Sequence, residues 1–428
     1  MDENIKKRII QINNGEEPDG YKTERKVGII PSDWKVRKFK DVFKVNQGLQ
    51  IPISKRLKAP SKDTYFYITN EFLKNKGNGG EEYYIQSPPK SVICNKDDIL
   101  MTRTGNTGIV LTNVEGAFHN NFFKINFDRN LLNKDFVYYY LNSRYVQRLI
   151  RIYAGASTIP DLNHSDFYKI DFILMSFNEQ QKIASMLFTW DEAIKLKERL
   201  IERKKEQKKG LMQRLLTGEV RLPGFNEEWR EITLGDAGKT YTGLSGKKAN
   251  DFGEGKPYIP YKTVFDDSKI NINKVDFVNI KENEKQNIAK YGDIFFTTSS
   301  ETPNEVGMSS VLLDDISEVY LNSFCFGYRL NDINNLTPEF ARYLFRSNIF
   351  RRKVYSLAQG STRFNISKNE VMKLSVSLPS VKEQKAIASV LSNSDEEIKL
   401  LSKQVESLKE QKRGLMQLLL SGKVRVKA

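Results

Sequence analysis

The chain has 428 residues, enough for two or more domains with substantial cores, and its 68 Lys and Arg against 53 Asp and Glu give a formal charge of +15, which favours an acidic polymer as partner. Two cysteines (Cys94, Cys325) lie far from the two histidines (His119, His164), which excludes a disulfide framework, a metal-ligand cluster and a histidine-based catalytic triad. No apolar run approaches the roughly 18 residues of a membrane span and MDENIKKRIIQ is no signal peptide, so a cytoplasmic protein without a membrane partner is expected.

Residues 1–26 read as a helical segment. Lys6-Lys7, Ile9-Ile10 and Asn14-Gly15-Glu16 echo Lys208-Lys209, Leu211-Met212 and Thr217-Gly218-Glu219, as if this were the tail of a truncated helix copy that packs beside longer ones. Pro18-Asp19 with Glu24-Arg25-Lys26 imitates a nuclease Asp…Glu-x-Lys pattern, but carboxylates this close in sequence cannot sit on separate strands around a metal.

A globular domain is expected over 27–177. It opens at Pro31-Ser-Asp-Trp34 and Gln47-Gly48-Leu49, continues through β-branched and aromatic runs at 65–69, 91–94, 98–102 and 108–111, and then turns helical over 134–151. The turn Gly155-Ala-Ser-Thr158 leads out of it. A second domain, 222–380, restarts the plan at Glu228-Trp229 and Thr242-Gly243-Leu244, with strands at 258–261, 293–298, 308–313 and 325–330, a helix over 338–355 and the turn Gln359-Gly-Ser-Thr362.

Each domain is followed by a copy of one long helix, 178–221 and 381–428. Glu179-Gln180 and Glu383-Gln384 lie 204 positions apart, and the same offset places KEQKKGLMQ at 205 on KEQKRGLMQ at 409. Ser176 with Glu179 and Ser380 with Glu383 read as capping boxes, and Gly218 and Gly422 as left-handed stops. Ile387, Leu391, Ile398, Leu401, Val405, Leu408, Leu415 and Leu419 trace a seam at 4,3 spacing, with Ser394 and Lys412 on it; the first copy puts Lys197, Lys204 and Lys208 on its own seam. About 39 helical residues would span roughly 58 Å. Exposed-type residues repeated almost verbatim point to two helices that bury their stripes against each other. The fold class expected is α+β: two pseudo-repeated globular domains, each a twisted, mainly antiparallel sheet with flanking helices, separated by two long antiparallel coiled-coil-like helices.

Motifs for chemistry are missing. There is no Asn/Asp-Pro-Pro-Tyr/Phe segment for amino methylation, since Ser87-Pro88-Pro89 lacks both flanking residues, and Gly243-Leu-Ser-Gly246-Lys247-Lys248 fails the phosphate-loop spacing. No catalytic residue, bound metal or cofactor is assigned to this chain. Nucleic-acid contacts have more support. Arg103-Thr-Gly105-Asn106-Thr-Gly108 follows a strand, where glycines let backbone approach phosphates while Arg103, Thr104 and Asn106 can reach base edges; an ordinary polar hairpin turn would look the same. In the second domain Thr297-Thr-Ser-Ser300-Glu-Thr-Pro-Asn304 has neither Arg nor Gly, so Thr298, Ser299, Ser300 and Asn304 should read a different sequence. Ser157 and Thr158, and Ser361, Thr362, Arg363 and Asn365, could seat a phosphate or simply cap a helix. Gln47, the pair Lys55-Arg56 and the pair Lys247-Lys248, beside the Gly-Leu turns, suit phosphate positioning, as they would a solvated basic loop.

Two divergent domains, each followed by a copy of one helix ending KEQKKGLMQRLLTGEVRLPGF or KEQKRGLMQLLLSGKVRV, resemble the specificity subunit of a Type I restriction-modification system. Ile30-Pro-Ser-Asp-Trp34, Asp98-Ile-Leu, Glu-Gln-x-x-Ile-Ala at 179 and 383, Leu-Leu-Thr-Gly at 215 and Gly360-Ser-Thr362 carry the likeness over essentially the whole chain. The resemblance implies that each domain reads one half of a split target in double-stranded DNA and that the helices set the gap. It implies that two methyltransferase subunits dock on the helices, carrying S-adenosylmethionine, and that restriction subunits using ATP and Mg join them. Other classes stay open: a DNA-binding scaffold of a methyltransferase complex that does not restrict, and a self-contained nuclease-methyltransferase fragment.

Overall fold

The computed structural model describes residues 2–75, 81–155 and 158–426. The chain forms two compact units, Met1–Lys197 with Gln404–Ala428, and Glu198–Lys403. Both boundaries fall inside a long helix, Phe177–Leu215 or Val381–Leu420. Each unit therefore holds the first half of the helix that follows its own domain and the second half of the other.

Within each unit the two halves run antiparallel, and the polar seam residues show how. In the first unit Lys412 meets Asp191, and Lys197 donates to Gln404 Oε1 at 2.8 Å. In the second, Lys208 meets Asp395 and Lys204 meets Glu397 at 2.7 Å. The lysines that interrupt the apolar stripe are thus its charge partners. The stripes themselves do not pair only with each other. Ile183, Ala184 and Leu187 join Leu419 and Leu420 in one core with Phe39, Phe136, Phe167 and Phe172, while Ile387, Ala388 and Leu391 join Leu215 and Leu216 in another with Phe296, Phe340 and Phe345. Each buried Leu or Phe contributes about 1.5–3 kcal/mol, so the helix ends are fixed by the domains they carry.

Neither expected capping box closes, and the first is half formed. Ser176 Oγ accepts from Glu179 N at 3.3 Å, but the Glu179 carboxylate turns inward to Trp34 Nε1 (2.9 Å) and Arg425 (2.6 Å), and Glu383 turns to Arg221 (2.6 Å). A bidentate guanidinium outweighs one backbone amide as partner. Gly218 and Gly422 do stop the helices in the left-handed region, at φ 72° and 74°. Gln180 and Gln384 occupy equivalent places, and each accepts from the backbone N–H that opens the domain helix, Asn133 or Thr337, at 2.9 Å.

The strands are mainly antiparallel, as expected, but in each domain they divide between more than one sheet. The first unit has an antiparallel four-stranded sheet, ordered Lys44–Gln47, Phe122–Asn126, Ile99–Thr102, Val110–Leu111. Beside it is a second, ordered Tyr84–Gln86, Thr64–Ile68, Gly116–Phe118, Ile93–Cys94, whose central pair is parallel. The second unit has an antiparallel four-stranded counterpart of the first sheet and a three-stranded counterpart of the second, in which Phe252–Ile259 runs parallel to Tyr320–Leu321. Entry and exit of each domain are stitched together, Lys35–Lys38 to Asp171–Leu174 and Arg230–Thr233 to Ser375–Leu378. The helices expected over 134–151 and 338–355 are each broken in two, Lys134–Leu141 with Arg144–Ala154, and Pro338–Leu344 with Asn348–Tyr355. Ser143 and Ser347 cap the second piece, each accepting from the amide three residues on at 3.3 Å. Among the described residues of the helical segment expected over 1–26, only Glu3–Asn14 is helix, and Tyr21–Glu24 is a strand; Arg8 Nε on the helix donates to Lys423 O at 3.2 Å, and Tyr21 Oη on the strand to Gly422 O at 2.7 Å, in the tail beyond the second long helix.

Candidate nucleic-acid interface

In each unit the loops at one end of the two sheets are tied into a single cluster. The Gly-Leu turn is its anchor. A Cβ on Gly48 would fall on the carbonyl oxygens of Phe118 and His119, and one on Gly243 on those of Asn322 and Leu321, so both positions exclude any side chain. In the first unit Asn120 N donates to Leu49 O (3.1 Å) and Arg103 N to Asn121 O (2.7 Å), carrying the link to the Arg103–Gly108 hairpin. That hairpin is clasped in turn by the segment after the helix: Leu162 N donates to Arg103 O (2.8 Å) and Gly105 N to Pro160 O (3.0 Å).

Arg103 belongs to this clasp. Its Nη2 donates to Asp161 Oδ2 at 2.7 Å and its Nε to Leu162 O at 3.3 Å, its guanidinium lies 5.5 Å from the Phe123 ring centroid, and its side chain is 15% exposed. Thr104 gives its hydroxyl to the other Asp161 oxygen. The expectation of a free arginine fork is therefore revised: the partner, Asp161, comes from a distant turn and fixes the loop. Arg56 is likewise withdrawn, with its guanidinium 5.2 and 5.3 Å from the Tyr67 and Tyr83 ring centroids, Nε donating to Ile51 O at 3.0 Å and its side chain 9% exposed. Gln47 is half-buried in its strand. Lys55, Asn106 and Thr158 stand exposed, and Ser157 lies outside the described residues.

The second unit builds the same cluster with other residues. Ser299 and Ser300 pair with Asn365 and Phe364 as a two-stranded ribbon, and Ile366 N donates to Thr298 O at 3.0 Å. This joins the two expected segments, but it buries Ser299 and Ser300, and Thr298 gives its hydroxyl to Phe324 O at 2.8 Å, so these three support the loop rather than face outward. Lys247 is drawn inward to Glu284 and Asn279 O, and this lysine holds the Glu284 carboxyl down at about 2, well below the usual range. Exposed are Lys248, Asn304, Ser361, Thr362, Arg363 and Asn365. The turn after Thr297 does end in a glycine: Gly307, like Gly108, has a left-handed backbone and a carbonyl held by the second of the two domain helices, by Arg351 Nη1 at 2.6 Å where the first unit uses Gln147 Nε2 at 2.8 Å.

Several cluster residues escaped the sequence reading. Asn70 donates to Thr104 O at 3.2 Å and Asn120 to Gln50 Oε1 at 3.2 Å, while both side-chain carbonyl oxygens are buried without a partner. Phe324 stands 54% exposed with the Arg363 guanidinium 5.9 Å from its ring centroid. The signal was there in Asn120-Asn121 and Asn322-Ser-Phe324, polar or aromatic residues one step past a β run. Burial and the nearby Arg56 charge lower the His119 pKa, and burial with Arg103 lowers that of His164, so both rings favour the neutral form.

The family model described as Type I restriction modification DNA specificity domain matches residues 31–204 and 226–410. The Type I restriction enzyme MjaVIII specificity subunit of Methanocaldococcus jannaschii is 24% identical over 93% of this chain and 94% of its own. A putative type I restriction enzyme MjaX specificity subunit from the same organism is 25% identical over 98% and 100%. Two solved structures share the fold. A chain from a study of complex assembly and conformational transition of the type I R-M system superposes with a TM-score of 0.59 at 16% identity, over 92% of this chain and 99% of that one. The S subunit of a Type I restriction-modification system from M. genitalium gives 0.50 at 18%, over 93% and 97%.

Proposed function

The chain belongs to the Type I restriction modification DNA specificity family, and from that membership we propose that its two loop clusters each read one half of a bipartite sequence in double-stranded DNA. The observation that carries this is the contrast between clusters: one hydrogen-bonded frame, built twice, presents a lysine after each Gly-Leu turn (Lys55, Lys248) but otherwise Asn106 and Thr158 in one unit and Asn304, Ser361, Thr362, Arg363 and Asn365 in the other. A frame that is kept while its exposed donors change is what two half-sites of different sequence require.

The chain itself does no chemistry in this reading. Two methyltransferase subunits dock on the long helices and bring S-adenosylmethionine, and restriction subunits bring ATP and Mg. The segments 27–177 and 222–380 act as exchangeable recognition modules, while 178–221 and 381–428 act as spacer and docking surface. The described helices include none long and apolar enough to cross a membrane, and we place the complex in the cytoplasm with the DNA.

The test is exchange. Replacing residues 31–175 by the matching domain of another family member should change one half of the methylated motif and leave the other half and the gap unchanged. If both halves change together, the units do not read independently.

A further inference from the structure

Many arginines of the two domains are engaged by their own unit. Arg56 and Arg103 are clasped, Arg346 serves four backbone carbonyls, and Arg351 serves three. Arg144, Arg148 and Arg151 differ. They lie exposed on the helix Arg144–Ala154, at spacings of four and three that put them on one face, and no hydrogen-bond or ion-pair partner holds them among the described residues. They rim a cavity of about 540 Å³ whose lining adds Lys423 and contains no carboxylate. Three unpaired cations on one ridge repel one another and are costly unless a polyanion meets them.

Resting on the DNA-binding reading above, we propose that Arg144, Arg148 and Arg151 form a phosphate-binding ridge that grips the DNA backbone beside the loop cluster of the first unit. The ridge is coupled to that cluster, because Gln147 on the same helix donates to the Gly108 carbonyl at the end of the Arg103 hairpin at 2.8 Å. Seven residues of helix rise about 10.5 Å, close to three base-pair steps of about 3.4 Å, so the three guanidiniums can each meet a phosphate within one short run of a single strand. An open ridge of forked donors suits phosphate oxygens. The corresponding positions of the second unit, by the same offset of 204, are Asn348, Arg352 and Tyr355, which keep one cation of three. The first unit therefore contributes most of the affinity that is blind to sequence, and the second relies on its reading loops.

The measurement is the salt dependence of binding of the full chain to a short labelled duplex of arbitrary sequence. Each phosphate contact adds about 0.9 to the slope of log affinity against log salt, so R144A/R148A/R151A should flatten the slope by about 2.7. Between about 50 and 200 mM salt the wild type then loses roughly 40-fold more affinity than the variant. The triple Arg→Lys variant should keep most of the slope, and K382A/K385A/K403A, which removes three exposed lysines of the second long helix, should leave it unchanged. The ridge is refuted if the arginine-to-alanine variant keeps the wild-type slope, or if the lysine control flattens it equally and only net charge matters. It is also refuted if the arginine variant binds DNA normally but fails to assemble with the methyltransferase, which would make the cavity a protein dock. A wild-type chain with no salt-dependent affinity removes the DNA-binding reading and the ridge with it.

Discussion

Glu179 is a carboxylate with a 2% exposed side chain, and its oxygens are met by Trp34 Nε1 at 2.9 Å and by Arg425 through Nε at 2.6 Å and Nη2 at 3.1 Å. Arg425 also forks onto Asp33, both contacts at 2.9 Å. Removing one partner of a buried pair leaves the other charge uncompensated, so Arg425→Ala should lower stability by roughly 3–5 kcal/mol in denaturant titration. A loss below about 1 kcal/mol would mean that the pair is solvated. The pH response has a definite sign. Arg425 holds the Asp33 carboxyl below its ordinary value, and Lys247 holds that of Glu284 down at about 2. Groups depressed on folding stabilise above their unfolded pKa, near 4 for carboxylates, and lose that contribution as pH falls toward the folded value. Glu284→Gln should therefore destabilise at neutral pH and be indistinguishable from wild type near pH 2; a difference that persists in acid would contradict the ion pair. Arg103 shows what one sequence can hide. Its setting on a Gly-rich loop is legible, but Asp161 stands 58 residues away, and only the fold reveals that the two are partners. Arg103→Ala and Asp161→Ala should consequently weaken target recognition alike, and the double variant no more than either; an additive loss would restore Arg103 as an independent DNA contact.

At the level of elements, the long helices were legible because stripe, cap and glycine stop all agree, from Ser176 to Gly218 and from Ser380 to Gly422. The break at Ser143 was not, because Tyr139, Val146 and Ile150 keep a helical apolar rhythm across it. Nor were the short strands Lys44–Gln47 and Gly116–Phe118, which carry too few residues for a period to register. The seam lysines looked like flaws in a coiled coil, yet Lys412 with Asp191 and Lys208 with Asp395 pin the register, and Tyr139 and Tyr343 each donate a hydroxyl to the same aspartate at 2.8 Å. This makes the helix pair testable as a ruler. Four residues added beside Lys204 lie between Asp191 and Lys208, and four beside Leu408 lie between Asp395 and Lys412, so a matched insertion keeps both clamps. It lengthens each helix by about 6 Å and adds roughly 40° beyond a full turn, close to one or two base-pair steps of DNA. Both half-sites should survive with the gap widened by one or two base pairs. An insertion in one helix alone mispairs a clamp and should abolish modification. A matched insertion that leaves the gap unchanged would sink the ruler.

The molecule as a whole builds one plan twice: helix halves, glutamine caps, buried glutamate-arginine pairs and Gly-Leu anchors recur, while most of the exposed loop residues do not. The recurrence was readable in the sequence as an offset of 204, and the divergence as the point where that offset stops giving matches. Which exposed side chains sit together was not readable, since it depends on sheets whose strands lie dozens of residues apart. If one frame built twice reads two half-sites at a set distance, the most direct measurement is modified-base mapping of DNA from cells that carry this chain and its methyltransferase. The expected result is a motif of two short, unlike, defined stretches separated by an unread gap of fixed length. A continuous motif, or two stretches joined by gaps of varying length, would contradict it.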